Sequence, residues 1–206
     1  MLSLRARRRR PAGEAGFTLI ELVAAMAIFT VVIVISLAAL RSMATTTVRT
    51  TQVSDARVEA DRLYNRLDKI APYAAAINPA GQAGGDWWLE LRTDVAAGGQ
   101  SARCWQLRLD TSDAEVRVRS WPAGSAGAVT GWTTLASGAA TRAGVPPFAL
   151  LPADDRVARQ RLVIALDVSR PGAPPYPVDS TFTARNTSGA TPTNHGSLVC
   201  QEVSRT

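Results

Sequence analysis

The chain has 206 residues, room for one ordinary domain and an appendage, with 46% hydrophobic residues and a formal net charge of +6. The charge is uneven, because Arg5, Arg7, Arg8, Arg9 and Arg10 are opposed only by Glu14 before residue 17, and the rest of the chain is close to balanced. A basic block placed directly before an apolar run is a cytoplasmic orientation signal rather than a nucleic-acid footprint, so no direct nucleic-acid binding is expected.

The apolar run extends from Phe17 to Leu40 and contains one ionisable residue, Glu21. As a helix it would be about 36 Å long at ~1.5 Å per residue, enough to cross a bilayer core with some tilt. A carboxylate at membrane depth costs roughly 2.5 to 3.5 kcal/mol by insertion measurements, so its presence needs a partner or a purpose. Ser36 to Ala39 could serve a signal peptidase, which makes a cleaved secretory signal the ordinary alternative. Glu21 inside the apolar core argues against it, and so does the small residue Gly16 placed before the core instead of after it.

The stretch Gly16-Phe17-Thr18-Leu19-Ile20-Glu21-Leu22, preceded by a short basic leader, resembles the processing site of type IV pilins and the related pseudopilins. The resemblance implies cleavage between Gly16 and Phe17 by a membrane prepilin peptidase, N-methylation of the new Phe17 amine, and Glu21 at the fifth mature position. It also implies a division into a leader (1–16), a transmembrane or filament-core helix (17–40), an amphipathic continuation (41–76) and a β-rich globular domain (77–206). In a filament of packed helices Glu21 could face the Phe17 ammonium of a neighbouring subunit, so that two buried charges neutralise each other and set register. Such a pair exists only after cleavage, which would couple processing to assembly.

Beyond Leu40 the chain is polar, without helix breakers, as far as Pro72. Ala56, Ala60, Leu63, Leu67, Ile70 and Ala74 recur at three- and four-residue spacing and form an apolar stripe. The threonines at 45–47 and 50–51 have poor helix propensity and predict a softer segment. One helix from Phe17 to about Ala71 is the expectation, its second half packed on a sheet. Alternating apolar and polar residues then predict six or seven antiparallel strands, at 86–93, 103–110, 115–121, 131–136, 147–151, 160–169 and 180–186. One sheet face should cover the helix, and the other should meet solvent or partners. Pro72 to Gly85 and Ser137 to Pro147 read as loops, and Pro171 to Pro177 as an exposed connection. The fold class read from these elements is α+β, and the resemblance implies a pilin-like arrangement of them.

Cys104 and Cys200 both follow the apolar run. If the arginines remain cytoplasmic, both cysteines lie in an oxidising compartment, where one intramolecular disulfide is possible and two buried thiols are the alternative. Major pilins bracket a short C-terminal region with their disulfide, whereas this bracket would enclose most of the sheet. With Ala27-Ile28-Phe29 and the large domain, that departure favours a minor subunit. Trp132 to Gly138, Pro147-Phe148, Leu162 to Val168 and Thr183 to Asn186 also resemble J-type and W-type minor pilins.

Catalytic chemistry is not visible. His195 is the only histidine, so neither a histidine-based triad nor a multi-histidine metal site has partners. Asp110, Asp113 and Glu115 read as a polar hairpin turn rather than calcium ligands. Asn186-Thr187-Ser188 is a glycosylation sequon, read as incidental. The five tryptophans read as core rather than as an adhesive surface. No enzyme activity, metal or cofactor is expected. The leading expectation is a minor pilin or pseudopilin, held in the inner membrane by one span with its domain outside, whose partners are prepilin peptidase and other pilin subunits. The alternatives are a type II secretion pseudopilus subunit and a membrane-anchored adhesion or binding domain that uses the signal for export.

Overall fold

The structure, a computed structural model, describes residues 18–94 and 101–205. Contacts divide the chain into two compact units, Met1–Thr47 and Val48–Thr206. Helix α1, Leu19–Asp68, contributes to both.

In the first unit α1 continues through the threonine cluster where a softer segment was expected. The hydroxyls of Thr45, Thr46 and Thr47 donate to the carbonyls of Arg41, Ser42 and Met43 at 2.9–3.1 Å. Each threonine thus bonds back to the preceding turn and leaves the backbone ladder intact.

In the second unit α1 buries Ala56, Ala60, Leu63 and Leu67, the stripe read from the sequence. The helix ends at Asp68 rather than near residue 71 or 76, and a 3-10 turn over Ala71–Tyr73 follows. Pro72 in that turn has no N–H to continue the ladder. Ala74, expected on the helix, instead opens strand β1, Ala74–Ile77.

Ten strands are present among the described residues, in two sheets. The first sheet contains β1, β2 (Gly81–Ala83), β3 (Asp86–Thr93), β4 (Arg103–Asp110), β5 (Glu115–Pro122) and β6 (Thr133–Ser137). Its order is β1-β3-β4-β5-β6, with β2 also pairing β3. The second contains β7 (Ala139–Thr141), β8 (Phe148–Leu151), β9 (Arg161–Val168) and β10 (Tyr176–Thr183), with β9 between β10 on one side and β7 and β8 on the other. The observed pairings are antiparallel.

Three short strands fall in stretches read as loops, namely β1, β2 and β7. Their alanines and glycine carry no alternation to detect. β10 starts at Tyr176 and includes Pro177, within the segment expected to be a connection, and ends at Thr183 rather than 186. Among the described residues it pairs only with β9, and an edge strand can hold a proline because its missing N–H need not point at a neighbour.

Only Gly138 separates β6 from β7, so the chain changes sheets across one residue with φ of 74°. A Cβ there would lie 2.2 Å from the Ser169 carbonyl oxygen. Glycine is required on both counts.

Leu63 and Leu67 of α1, Leu89, Leu107 and Val118 of the first sheet, and Phe148, Leu162 and Phe182 of the second belong to one buried cluster. The opposite face of the first sheet differs from expectation. Trp88, Glu90, Gln106, Asp110 and Trp121 point away from that cluster by strand alternation, yet all are buried, Glu90 to 3% exposure. The C-terminal segment binds this face. Asn78 exchanges two hydrogen bonds with the Val199 backbone at 2.8 and 2.9 Å. Arg205 donates twice to the Glu90 carboxylate, at 2.9 and 2.6 Å.

Candidate processing and assembly site

Gly16 and Phe17 lie outside the described residues, as does the basic leader. The site therefore begins at Thr18, which caps α1. Its carbonyl accepts the N–H of Leu22 at 3.1 Å, and its hydroxyl accepts the N–H of Glu21 at 3.3 Å. Thr18 and Glu21 stand at the Ncap and N3 positions of a Thr-x-x-Glu box, a signal readable in the sequence but not used in the reading above. A carboxylate in the first turn also faces the positive end of the helix dipole. This local fit explains why an acid is tolerated at that turn.

It does not neutralise the charge. Among the described residues no group donates to the Glu21 carboxylate. The helix around it is apolar and exposed, with Leu19 at 83% and Phe29 at 66%. Its most apolar window has a mean hydropathy of 2.8 with none of it buried inside the protein, and its length and composition suffice to cross a membrane. The described part of the first unit thus combines an exposed apolar helix with one acid that has no donor among the described residues. Chemically, that arrangement can accept a cation.

In the second unit Cys104 and Cys200 are bonded to each other, 96 residues apart in sequence. The bridge joins β4 to the C-terminal segment, beside buried Trp121. Glu202 lies two residues on and accepts from the Trp121 indole N–H at 3.2 Å and the Gly124 N–H at 2.8 Å. Partial burial acts to raise the Glu202 pKa, but these donors and its own N–H hold it below the usual carboxylate value. Neither Glu90 with Arg205 nor Glu202 with Trp121 was found in the sequence, since alternation alone assigns Glu90 to solvent.

Asp110 takes both Arg108 and Arg117, at 3.0 and 2.9 Å, and Arg117 also binds Asp113 and Glu115. Burial acts to raise the Asp110 pKa, yet Ser112, the Asp113 N–H and the two guanidiniums leave it lowered. The three acids thus form a salt-bridged hairpin turn between β4 and β5. Among the described residues no group of three or more histidine, cysteine or acidic side chains could hold a metal ion. The exposed His195 ring contacts the Gly189 carbonyl at 3.0 Å. Asn186 of the sequon is exposed and donates to the Tyr73 carbonyl. Trp88 and Trp121 are buried, and Trp87 and Trp105 pack partly against the main core.

A family model of the prokaryotic N-terminal methylation motif matches residues 12–37. No curated protein and no solved structure matches the chain.

Proposed function

We propose that this chain, which carries the type IV pilin signal, is a minor pilin or pseudopilin, a structural subunit that joins or primes a type IV pilus-like filament. The observation that carries this reading is Glu21, an acid with no donor among the described residues, one turn into an exposed apolar helix that begins inside the matched motif. Prepilin peptidase cuts between Gly16 and Phe17, and the Phe17 amine is N-methylated. In the membrane the helix stores the subunit by a single span of the inner membrane. In the filament the same surface packs on neighbouring helices, where each Glu21 takes the Phe17 ammonium of the next subunit. The two charges are desolvated together, which sets register more than it adds stability. The domain from Val48 onwards supplies partner contacts, and a disulfide spanning most of its sheet favours a minor subunit over a major one.

N-terminal mass analysis of the chain from cells with and without prepilin peptidase tests the processing step. A mature chain starting at methylated Phe17, seen only with the peptidase, is the expected result. An intact Met1 start, or cleavage near Ala39, overturns it. For assembly, Glu21→Ala should insert in the membrane normally but be lost from sheared filaments. Recovery of that variant in filaments at the natural level removes Glu21 from the mechanism. Finding the natural chain in sheared surface filaments, rather than only in the envelope, separates a pilus subunit from a secretion pseudopilus subunit.

A further inference from the structure

The ion pairs of the domain show how its arginines are normally handled. Arg108, Arg117, Arg142 and Arg205 each meet a carboxylate at 2.6–2.7 Å. The cations around Trp105 are handled differently. Arg66 and Arg103 set their guanidinium carbons 5.5 and 5.9 Å from the Trp105 ring centroid. Arg103 donates to the Ser120 hydroxyl at 2.8 Å. Among the described residues, neither Arg66 nor Arg103 nor the nearby Lys69 has a carboxylate partner. Asp94, the acid at the rim, is held by Arg92 at 3.0 Å.

These side chains line two adjoining depressions. One, of about 450 Å³, is bordered by Arg66, Arg103 and Trp105 together with hydroxyls that include Thr130 and Thr133. The other, of about 190 Å³, shares Ser101, Arg103 and Trp105 with it and adds Lys69 and Tyr73. The Trp105 indole N–H donates to the Thr93 hydroxyl at 3.2 Å, which fixes the ring as a platform. Cation–π contact then holds two guanidiniums against the ring, and Arg103 already gives one N–H to the Ser120 hydroxyl, which leaves the Arg66 fork and the remaining Arg103 N–H groups to bind.

Arg66 and Arg103 on the larger depression and Lys69 on the smaller, without carboxylate partners among the described residues and set among hydroxyls, select a small anion on a hydroxylated frame. A nucleic-acid strand needs a basic track several nucleotides long with successive aromatic platforms, and here two guanidiniums share the single ring of Trp105. A protein partner needs an apolar centre inside a polar rim, and the larger depression is instead bordered by Arg66, Arg103 and hydroxyls. We propose that the Trp105 cleft binds an acidic sugar, a hexose unit carrying a carboxylate or phosphate group. The guanidinium forks take the anion, and the serine and threonine hydroxyls take the ring hydroxyls. This site does not depend on Glu21 or on filament assembly.

The test uses the full chain in a sugar-free polyoxyethylene detergent, with ligand binding followed by saturation-transfer NMR. Digalacturonate and glucose 6-phosphate are the two acidic probes, and neutral galactobiose is their control. At least one acidic probe should bind about tenfold or more tighter than galactobiose, the scale of one charge-assisted hydrogen bond, and the one that binds identifies the anion. Arg66→Gln, on the exposed helix surface, and Arg103→Gln should each remove about that tenfold preference, while Arg62→Gln outside the cleft should leave it intact. Arg66→Gln cannot fail merely by unfolding the core, since its side chain is outside it. Equal binding of the neutral sugar, no binding of either acidic probe, or retention of the preference in Arg66→Gln overturns the proposal. So does a ten-nucleotide single strand that binds more tightly than both acidic probes and displaces them.

Discussion

Helix α1 contains two stretches with the same backbone and opposite relations to water. From Leu19 to Leu40 it is strongly apolar, and no described residue between Leu19 and Thr47 is buried. From Val48 to Asp68 it is mostly polar and buries four residues at helical spacing. Apolar content therefore does not locate the core of this protein, whereas periodicity does. The first stretch is apolar on all sides, the pattern that suits a helix surrounded by lipid or other helices, and the second is apolar on one side because its partner is its own sheets. Their stabilities should accordingly depend on different things.

The contrast is sharpest for leucines. Leu63 is 1% exposed and Leu37 is 54% exposed. Leu63→Ala should lower domain stability by about 3 to 5 kcal/mol through lost burial and the cavity left behind. Leu37→Ala should leave the thermal midpoint of the domain unchanged, both read by near-ultraviolet circular dichroism in detergent. Equal effects would break the comparison.

The disulfide should give the next largest effect. Cys200→Ser leaves a loop of 96 residues unclosed and should cost about 2 to 4 kcal/mol, a size on which entropic and solvation accounts agree better than on its cause. The loss should be confined to the second unit, and proteolysis of the C-terminal segment should increase while the apolar helix still inserts in membranes.

The smallest effect is expected from acid. Glu202 has a folded pKa below its unfolded value, so its contribution is fully present above the ordinary glutamate pKa of about 4.3. It is lost as pH falls through the lowered folded value. The thermal midpoint should therefore drop on acidification through that window, and Glu202→Gln should reduce the slope. An unchanged slope in Glu202→Gln would assign the acid response to the other lowered carboxyls, Asp110, Glu115 and Asp154.

Legibility in the sequence tracked side-chain size and range of contact. β3, β4 and β5 were readable because large apolar residues alternate with polar ones, and β9 because Leu162, Ile164 and Leu166 recur at every second position. β1, β2 and β7 were not, since alanine and glycine pack in either setting and do not announce a face. Glu90 misled for another reason. Its alternation is that of a solvent-facing residue, and its burial depends on Arg205, which is 115 positions away. The two sheets hinge on Gly138, whose importance comes from Ser169 rather than from any local pattern.

The sequence by itself determined the elements of this protein that depend on neighbours within a few positions. These are the basic leader and apolar run, the Thr18 and Glu21 first turn, the buried stripe of α1 and the long alternating strands. Only the tertiary structure decided that the outer face of the first sheet is covered by the C-terminal segment, and that Arg66, Arg103 and Trp105 meet in one cleft. Local periodicity reports which face of an element is apolar. It carries no information on which distant segment arrives to cover the other face, because that choice is made by packing and charge pairing across the whole chain.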